Sequence, residues 1–411
     1  MNTEKLKLVI VGHVDHGKSS LIGRLLFDTD SIAPDKMAEL KKVSKKAGKD
    51  MEFAFLLDHL QEEREQGITI DTTQTFFKSD VREFVIIDAP GHVEFVKNMV
   101  TGASQAEAAI LIIDANENIQ EQTKRHAFIL SMLGIDQIVV VINKMDVVDF
   151  KESVYNEISQ NITEFFKTLN LKANCVIPIS ALLGDNVASS SGNMAWYDGK
   201  TVLQVLNTLT TNKSEIHKPC ILPIQDVYKI GDKRIAVGRL ETGSIKEGME
   251  ITVYPTVEKT TVKTIEKFLE DSRVSVAGDS TGITTTDPVF LERGSVICSP
   301  SNEIRLTVSF KASVFWMNKT SLKAGEKVLL RCTTQEMLCE VESISRKLNS
   351  STLEYIDNNM DTLNNLEVGE VVFKFKKNIV VARFKDIKAL GRFVLVKDNN
   401  ISAGGIITDI N

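Results

Sequence analysis

The chain has 411 residues, of which 43% are hydrophobic and 25% are charged, and its formal net charge is −6. This length is too great for one ordinary core and predicts roughly two to four domains. The apolar runs are strand-sized, which excludes a membrane-spanning helix, and the N-terminus lacks a signal-peptide core, so we expect a cytoplasmic protein with no membrane partner. The acidic balance argues against non-specific binding to nucleic acid.

The first predicted element is a strand that leads through a glycine loop into a helix. An apolar run at 8–11 precedes a match to G-x-x-x-x-G-K-S/T at 12–19, and helical periodicity follows from 21. Such a loop aims backbone N–H groups and a helix N-terminus at an anion. Glycines let the backbone approach phosphates, the lysine reaches the β- and γ-oxygens, and the hydroxyl of Ser19 can ligate Mg²⁺. The predicted phosphate cradle is Gly12, Val14, Asp15, His16, Gly17, Lys18, Ser19 and Ser20.

A second strand, at 84–87, ends at Asp88-Ala89-Pro90-Gly91-His92, which matches the pattern D-x-x-G. Open α/β sheets bind ligands at the carboxyl ends of their strands. At that edge Asp88 can hold Mg²⁺ through water, and the N–H of Gly91 can meet the γ-phosphate. The spacing therefore predicts a second phosphate-side motif.

Three further strand-like runs, at 109–113, 138–142 and 176–179, alternate with helical stretches and predict a mostly parallel, doubly wound sheet. The second of these runs opens onto Asn143-Lys144-Met145-Asp146, and the third opens onto Ser180-Ala181-Leu182.

These two loops predict a guanine site. A carboxylate at Asp146 accepts hydrogen bonds from N1–H and from the exocyclic amine of guanine, a donor pair that adenine lacks. Each such charge-assisted bond contributes about 1.5–3 kcal/mol. Asn143 is expected to brace the loops, the stem of Lys144 to lie against the base plane, and the backbone of Ser180 and Ala181 to meet the guanine oxygen. The predicted cofactors are GTP or GDP with Mg²⁺.

The rest of the chain has an all-β pattern. From Pro219 apolar residues alternate with period two between glycine turns, and a second such block runs from Glu303 to the C-terminus. We therefore predict an α/β P-loop GTPase domain followed by two all-β barrel domains. The expected boundaries are 1–212 for the GTP-binding domain, 213–302 for the first barrel and 303–411 for the second.

The segments GHVDHGKSS, GITID, DAPGHVEF, NKMD and SAL together resemble the translation-factor branch of P-loop GTPases. The resemblance implies that Thr69 is the switch residue that joins Mg²⁺ and the γ-phosphate, and that His92 orients the attacking water. Val14 and Ile68 resemble the apolar gate beside that histidine, and Asp15 is similar to a residue that some members use for a monovalent cation. The implied catalytic residues are His92, Lys18 and Thr69, and the implied metal ligands are Ser19, Thr69 and Asp88.

Other stretches of the sequence indicate which subfamily of these GTPases the chain resembles. Segments at 21–28, 179–189, 314–317 and 391–396 resemble the GTPase subunit of bacterial sulfate adenylyltransferase. That resemblance implies GTP hydrolysis coupled to formation of adenylyl sulfate from ATP and sulfate by a separate, ATP-binding catalytic subunit, without nucleic acid. The P-loop and the stretches at 224–228 and 238–243 instead resemble elongation factors. The alternative is therefore a translational GTPase that carries aminoacyl-tRNA to the ribosome, and a stand-alone GTP-dependent switch is a third option.

The role implied for His92 gives a first testable prediction. Replacing His92 with alanine should lower GTP turnover by roughly 10²–10⁴-fold, the usual contribution of a positioned proton-handling group, and should leave GTP affinity nearly intact. Single-turnover hydrolysis measured beside a GTP-binding titration checks this. Unchanged hydrolysis would remove His92 from the mechanism.

Overall fold

The computed structural model describes residues 5–38, 73–89, 106–211, 216–267, 272–299, 304–356 and 361–410. The chain divides into two compact units, Met1–Thr211 with Ser350–Thr352, and Asn212–Asn349 with Leu353–Asn411. In the described residues no helix is long and apolar enough to cross a membrane. The α/β domain and the two β-barrels predicted from the sequence are present, and the exact limits of the three domains stay a prediction.

The first unit is built on a six-stranded sheet in the order β2-β3-β1-β4-β5-β6. Only β2 runs antiparallel to its neighbour. Every residue of the interior strands β4 and β5 is buried, which is why both contain unbroken apolar runs. The strands are β1 (Lys5–Gly12), β2 (Thr73–Lys78), β3 (Glu83–Asp88), β4 (Ala108–Asp114), β5 (Ile138–Asn143) and β6 (Ala173–Pro178).

Amphipathic helices accompany this sheet. In the longest of them Ile158, Ile162 and Phe166 are buried at a spacing of four residues, so that one face is apolar. The shortest begins with a capping box in which Thr201 and Gln204 exchange side-chain to backbone hydrogen bonds. Helices with both ends in the described residues are α1 (Lys18–Asp28), α2 (Glu121–Met132), α3 (Glu152–Thr168) and α4 (Val202–Leu206), and a 3₁₀ turn lies at Met145–Val148.

The parallel register brings four strand ends to one edge of the sheet. Ile10 of β1 is paired with Asp88 of β3, and Gly12 is paired with Ile112 of β4. Asp114, the last residue of β4, is paired with Asn143, the last residue of β5. Polar residues that are distant in sequence therefore lie side by side at this edge.

The second unit begins with a closed antiparallel barrel in the order β10-β11-β13-β8-β7-β14, and β9 pairs with β12 beside it. Its interior is lined by aliphatic side chains that include Leu222, Ile251 and Ile283. The strands are β7 (Ile221–Ile230), β8 (Lys233–Arg239), β9 (Ser244–Lys246), β10 (Glu250–Tyr254), β11 (Glu258–Glu266), β12 (Val274–Val276), β13 (Ser280–Thr285) and β14 (Val296–Cys298).

The chain continues into a larger antiparallel sheet in the order β17-β22-β23-β15-β21-β18-β19, which a pairing of β17 with β18 closes into a second barrel. Phe310, Phe375 and Phe393 form part of its core. The ring centroid of Phe310 is 5.3 Å from that of Phe375 and 5.7 Å from that of Phe393. The elements are β15 (Arg305–Trp316), β16 (Leu322–Lys323), β17 (Lys327–Cys332), β18 (Gln335–Asn349), β19 (Tyr355–Ile356), β20 (Thr362–Leu363), β21 (Glu367–Val381), α5 (Lys388–Gly391), β22 (Arg392–Lys397) and β23 (Asn400–Ile410).

A shared apolar cluster joins the two barrels. Ile221, Val296 and Cys298 from the first barrel pack in one buried group with residues of the second, among them Val380 and Leu390. Burial of this surface makes the two barrels one compact unit.

Candidate nucleotide-binding site

The loop after β1 requires glycine at both Gly12 and Gly17. Gly17 has φ 91°, the left-handed region that side chains disfavour, and it stands immediately before α1. A Cβ at Gly17 would lie 2.3 Å from Nδ2 of Asn143, and a Cβ at Gly12 would lie 2.6 Å from the carbonyl oxygen of Ile112. The loop therefore packs directly against β4 and the end of β5.

The N-terminus of α1 is open to an anion. In the described part of the chain no side chain caps this helix, and its first turn contains no acidic residue. The first N–H groups of a helix have no intrahelical acceptor, and they attract negative charge. This end of α1 therefore has the chemistry of a phosphate site.

Lys18 adds a positive charge to the loop. Its side chain is 7% exposed, and its Nζ donates hydrogen bonds to the carbonyls of Gly12 at 3.1 Å and His13 at 2.9 Å. Burial lowers the pKa of Lys18 to about 8, although the fields of Asp88 and Asp15 act in the opposite direction. The ammonium group is thus held inside the loop, and a phosphate group there would favour its charged form.

The residues described near this loop fit a Mg²⁺ ion. Asp88 is buried at the end of β3, and the half-buried Ser19 is the second residue of α1. A carboxylate and a hydroxyl are the hard oxygen donors that Mg²⁺ prefers. The other residues predicted for the γ-phosphate side, Thr69, Gly91 and His92, lie outside the described residues.

The remaining residues of the loop differ in exposure. Asp15 is exposed with φ 63°, and Val14 and Ser20 are half-buried.

His16 is fully buried, with Nδ1 3.3 Å from the carbonyl oxygen of Ile112 and Nε2 3.2 Å from Oε2 of Glu117. Burial lowers the pKa of His16, partly offset by these two contacts. The side chain of His16 therefore anchors the loop to β4 and to the loop that follows it.

Asn143 connects the phosphate loop with the loop predicted to hold the base. Its Nδ2 donates to the carbonyl of His16 at 2.9 Å, and its Oδ1 accepts from the backbone N–H of Ala181 at 2.9 Å. Both hydrogen bonds are buried, and they join residues that are 127 and 38 positions apart in sequence. The bracing function predicted for this asparagine is consistent with these contacts.

The base side of the site is formed by the segments after β5 and β6. Asp146 lies half-buried in the first turn of the 3₁₀ helix that follows Lys144, and the N–H of Met145 donates to the carbonyl of Ile179 at 3.1 Å. Ser180 and Ala181 are buried, whereas Leu182 is 57% exposed. The structure therefore brings the two predicted base motifs together at the same sheet edge.

Family models match the chain in order along its length. "Elongation factor Tu GTP binding domain" matches residues 3–222, "Elongation factor Tu domain 2" matches 233–298, and "GTP-eEF1A C-terminal domain-like" matches 309–408. The elongation factor 1-alpha of Methanopyrus kandleri is 38% identical over 99% of this chain and 98% of its own length. That of Methanoculleus marisnigri is 37% identical over 98% and 97%. The chain belongs to the elongation factor Tu and 1-alpha family of GTPases.

Membership of this GTPase family establishes GTP and GDP as ligands and GTP hydrolysis as the reaction class. A solved structure of Sup35 complexed with GDP aligns with 100% of this chain and 95% of its own, at 24% identity and a TM-score of 0.46. A TM-score at this level adds nothing to the assignment. The fold instead follows from the strand topology and the family matches.

The prediction of a sulfate adenylyltransferase subunit is wrong, and so is the prediction of an ATP-binding catalytic partner without nucleic acid. The two relatives named above, which align with nearly the whole chain, are elongation factors 1-alpha. The misleading stretch at 314–317 contains Val314, Phe315 and Trp316, which are fully buried in β15. Packing in a barrel core constrains such residues, so their similarity reports architecture rather than a partner.

Sequence reasoning missed two carboxylates and a histidine beside the site. Asp114, the last residue of β4, contacts Lys144, and Glu117, just after β4, contacts His16. His126 of α2 is completely buried. Asp114 could have been recognised, because it ends a buried strand just as Asp88 and Asn143 do. His126 had no such signal, since it occupies one position in an ordinary helical pattern.

The contacts of Asn143 predict a loss of nucleotide affinity when they are removed. Asn143→Ala leaves the carbonyl of His16 and the N–H of Ala181 buried without their partner, at a cost of roughly 1–3 kcal/mol each. Affinity for GDP and GTP should therefore fall by about 100-fold or more, measured by equilibrium titration. Asn161→Ala, on the exposed face of α3, is the matched control and should bind like the wild type. Equal affinities in both variants would refute the bracing role.

Burial of His126 predicts acid sensitivity. Burial is the main cause that holds the pKa of His126 well below its usual value, and the charges of Lys18 and Arg125 act in the same direction. Its Nδ1 has no hydrogen-bond partner among the described residues. The unfolded chain takes up a proton near pH 6.5 that the folded chain refuses, so stability is lost as pH falls below that value.

This loss should amount to about 2 kcal/mol between pH 7 and pH 5 if the buried imidazole stays neutral. In His126→Leu the fall in thermal midpoint between these pH values, measured by calorimetry on the full chain, should be smaller than in the wild type. His217→Leu removes an exposed histidine and should leave the fall unchanged. Identical pH profiles for the wild type and His126→Leu would contradict the assignment.

Proposed function

We propose that this chain is a translational GTPase that carries aminoacyl-tRNA to the ribosome and works in the cytoplasm, where translation takes place. The observation that carries the proposal is the similarity to elongation factors 1-alpha over 99% of the chain, which includes both barrels as well as the nucleotide domain. A GTPase domain alone would fit many cellular switches. Similarity to elongation factors 1-alpha through both barrels favours aminoacyl-tRNA as the cargo.

In this proposal the glycine loop and the open end of α1 bind the phosphates. Backbone N–H groups of the loop, from Gly12 to Ser20, surround the β-phosphate, and Lys18 contacts the β- and γ-oxygens. The hydroxyl of Ser19, the carboxylate of Asp88 and Thr69 would hold Mg²⁺, which neutralises charge on the phosphates when it is bound. The N–H of Gly91 would meet the γ-phosphate, and His92 would orient the attacking water.

Base selection is assigned to the segments after β5 and β6. Asp146 accepts two hydrogen bonds from guanine, and the stem of Lys144 covers one face of the ring. Asn143 holds these segments on the phosphate loop. The N–H of Ala181 already donates to Asn143, so the guanine oxygen would share that donor or use the backbone at Leu182.

The barrels are proposed to bind the RNA. The chain has a formal net charge of −6, so any RNA contact needs local positive charge. The wall of the second barrel offers such charge, because Lys374, Lys376 and Lys377 of β21 are exposed while Phe373 and Phe375 are buried. Ordering of the segment around Thr69 by the γ-phosphate would connect nucleotide state with cargo binding.

Two measurements on the full chain test the proposal. The GTP-loaded protein should protect the ester bond of aminoacyl-tRNA from spontaneous hydrolysis, and the GDP-loaded protein should not. Ribosomes with a matching codon should accelerate GTP hydrolysis by about 10³-fold or more, the scale on which a partner completes a GTPase site.

Deacylated tRNA and ribosomes without a codon are the controls for these measurements. If GTP binds but neither protection nor acceleration occurs, the protein is a GTPase with another cargo and the proposal is wrong.

A further inference from the structure

Asp114 forms an ion pair with the lysine of the base motif. The Nζ of Lys144 is 2.6 Å from Oδ2 of Asp114. The side chain of Asp114 is 3% exposed, whereas that of Lys144 is 34% exposed. A carboxylate inside the sheet edge therefore holds a lysine whose stem remains partly on the surface.

The position of this carboxylate is fixed by the sheet. Asp114 is the last residue of β4 and is paired with Asn143, the first residue of the base motif. The sheet register therefore places Asp114 beside that motif. Its second oxygen, Oδ1, accepts a hydrogen bond from the backbone N–H of Asn116 at 2.8 Å. With both oxygens engaged, Asp114 presents one fixed acceptor to Lys144.

The lysine is fixed at both ends of its side chain. Its backbone is left-handed, with φ 63°, and its ammonium group is bound to Asp114. An unpaired lysine samples many rotamers and loses that freedom when a ligand orders it. A lysine ordered in advance removes this cost from ligand binding.

We propose that Asp114 is a positioning residue for the guanine nucleotide, which holds the stem of Lys144 in place as a preformed apolar surface for the base. This inference rests on the proposed role of Lys144 and Asp146 at the base. It adds a residue from a third strand to the base site. Asp114 acts through Lys144 and does not itself contact the nucleotide.

The inference predicts a specific loss in Asp114→Asn. Because the affected contact is at the base, affinity for GDP and for GTP should fall by the same factor, about 10–100-fold, as expected for loss of a charge-assisted contact. The turnover of intrinsic hydrolysis at saturating GTP should not change. Titration of full-length protein with GDP and GTP in the presence of Mg²⁺, beside single-turnover hydrolysis, measures both.

Asp149→Asn is the matched control. Asp149 also pairs with a nearby lysine, with Lys151 Nζ 3.1 Å from Oδ2, but its side chain is 81% exposed. Its removal should leave nucleotide affinity unchanged. Thermal midpoints of the two variants show whether Asp114→Asn is folded. If it is not, Asp114→Glu keeps the charge but moves the acceptor, and it should weaken GDP and GTP binding equally.

A double-mutant cycle with Lys144→Met tests whether Asp114 acts through the lysine. Methionine keeps an unbranched apolar stem without the charge, so Asp114→Asn should cause little further loss of GDP affinity in the Lys144→Met background. Additive losses, or wild-type affinity in Asp114→Asn or Asp114→Glu, would overturn the inference. A wild-type protein that binds ADP as firmly as GDP would instead refute the proposed guanine site.

Discussion

The two hydrogen bonds of the Asn143 side chain are the contacts on which the nucleotide site depends. One reaches the glycine loop at His16 and the other reaches the loop at Ala181, so a single amide fixes the spacing between the phosphate side and the base side. Gly17 must be a glycine for the same reason, because a Cβ there would collide with this amide. The sheet register places Asn143 at the edge where this bridge is possible.

Burial of polar and charged groups is the second constraint on this site. Lys18, His16, Asp114 and His126 are each less than a tenth exposed, and each has to be hydrogen-bonded, paired or neutral. Lys18 contacts two carbonyls, Asp114 pairs with Lys144, and His126 stays neutral. These described side chains are thus held in place by fixed contacts, which favours electrostatic stabilisation of phosphate charge.

The sequence predicted the nucleotide ligand correctly but the partner wrongly. Motifs such as 12–19 and 143–146 need particular residues at particular places, because they contact a ligand with fixed donors and acceptors. In the segment 314–317, by contrast, Val314 and Trp316 fill the core of the second barrel, where apolar residues of suitable size are needed. Resemblance in short segments of this kind led to the wrong branch, which similarity over the full chain corrected.

The sequence by itself determined the order of domains, the glycine loop and the base motif, because strand periodicity and ligand-contacting motifs are local properties of the chain. Only the tertiary structure decided that Asp114 pairs with Lys144, that Glu117 meets His16 and that His126 is buried beside them. The two pairs join residues that are far apart in sequence: Asp114 and Lys144 are 30 positions apart, and His16 and Glu117 are 101 positions apart. Such pairs depend on strand register and helix packing, which arise only when the whole core has formed.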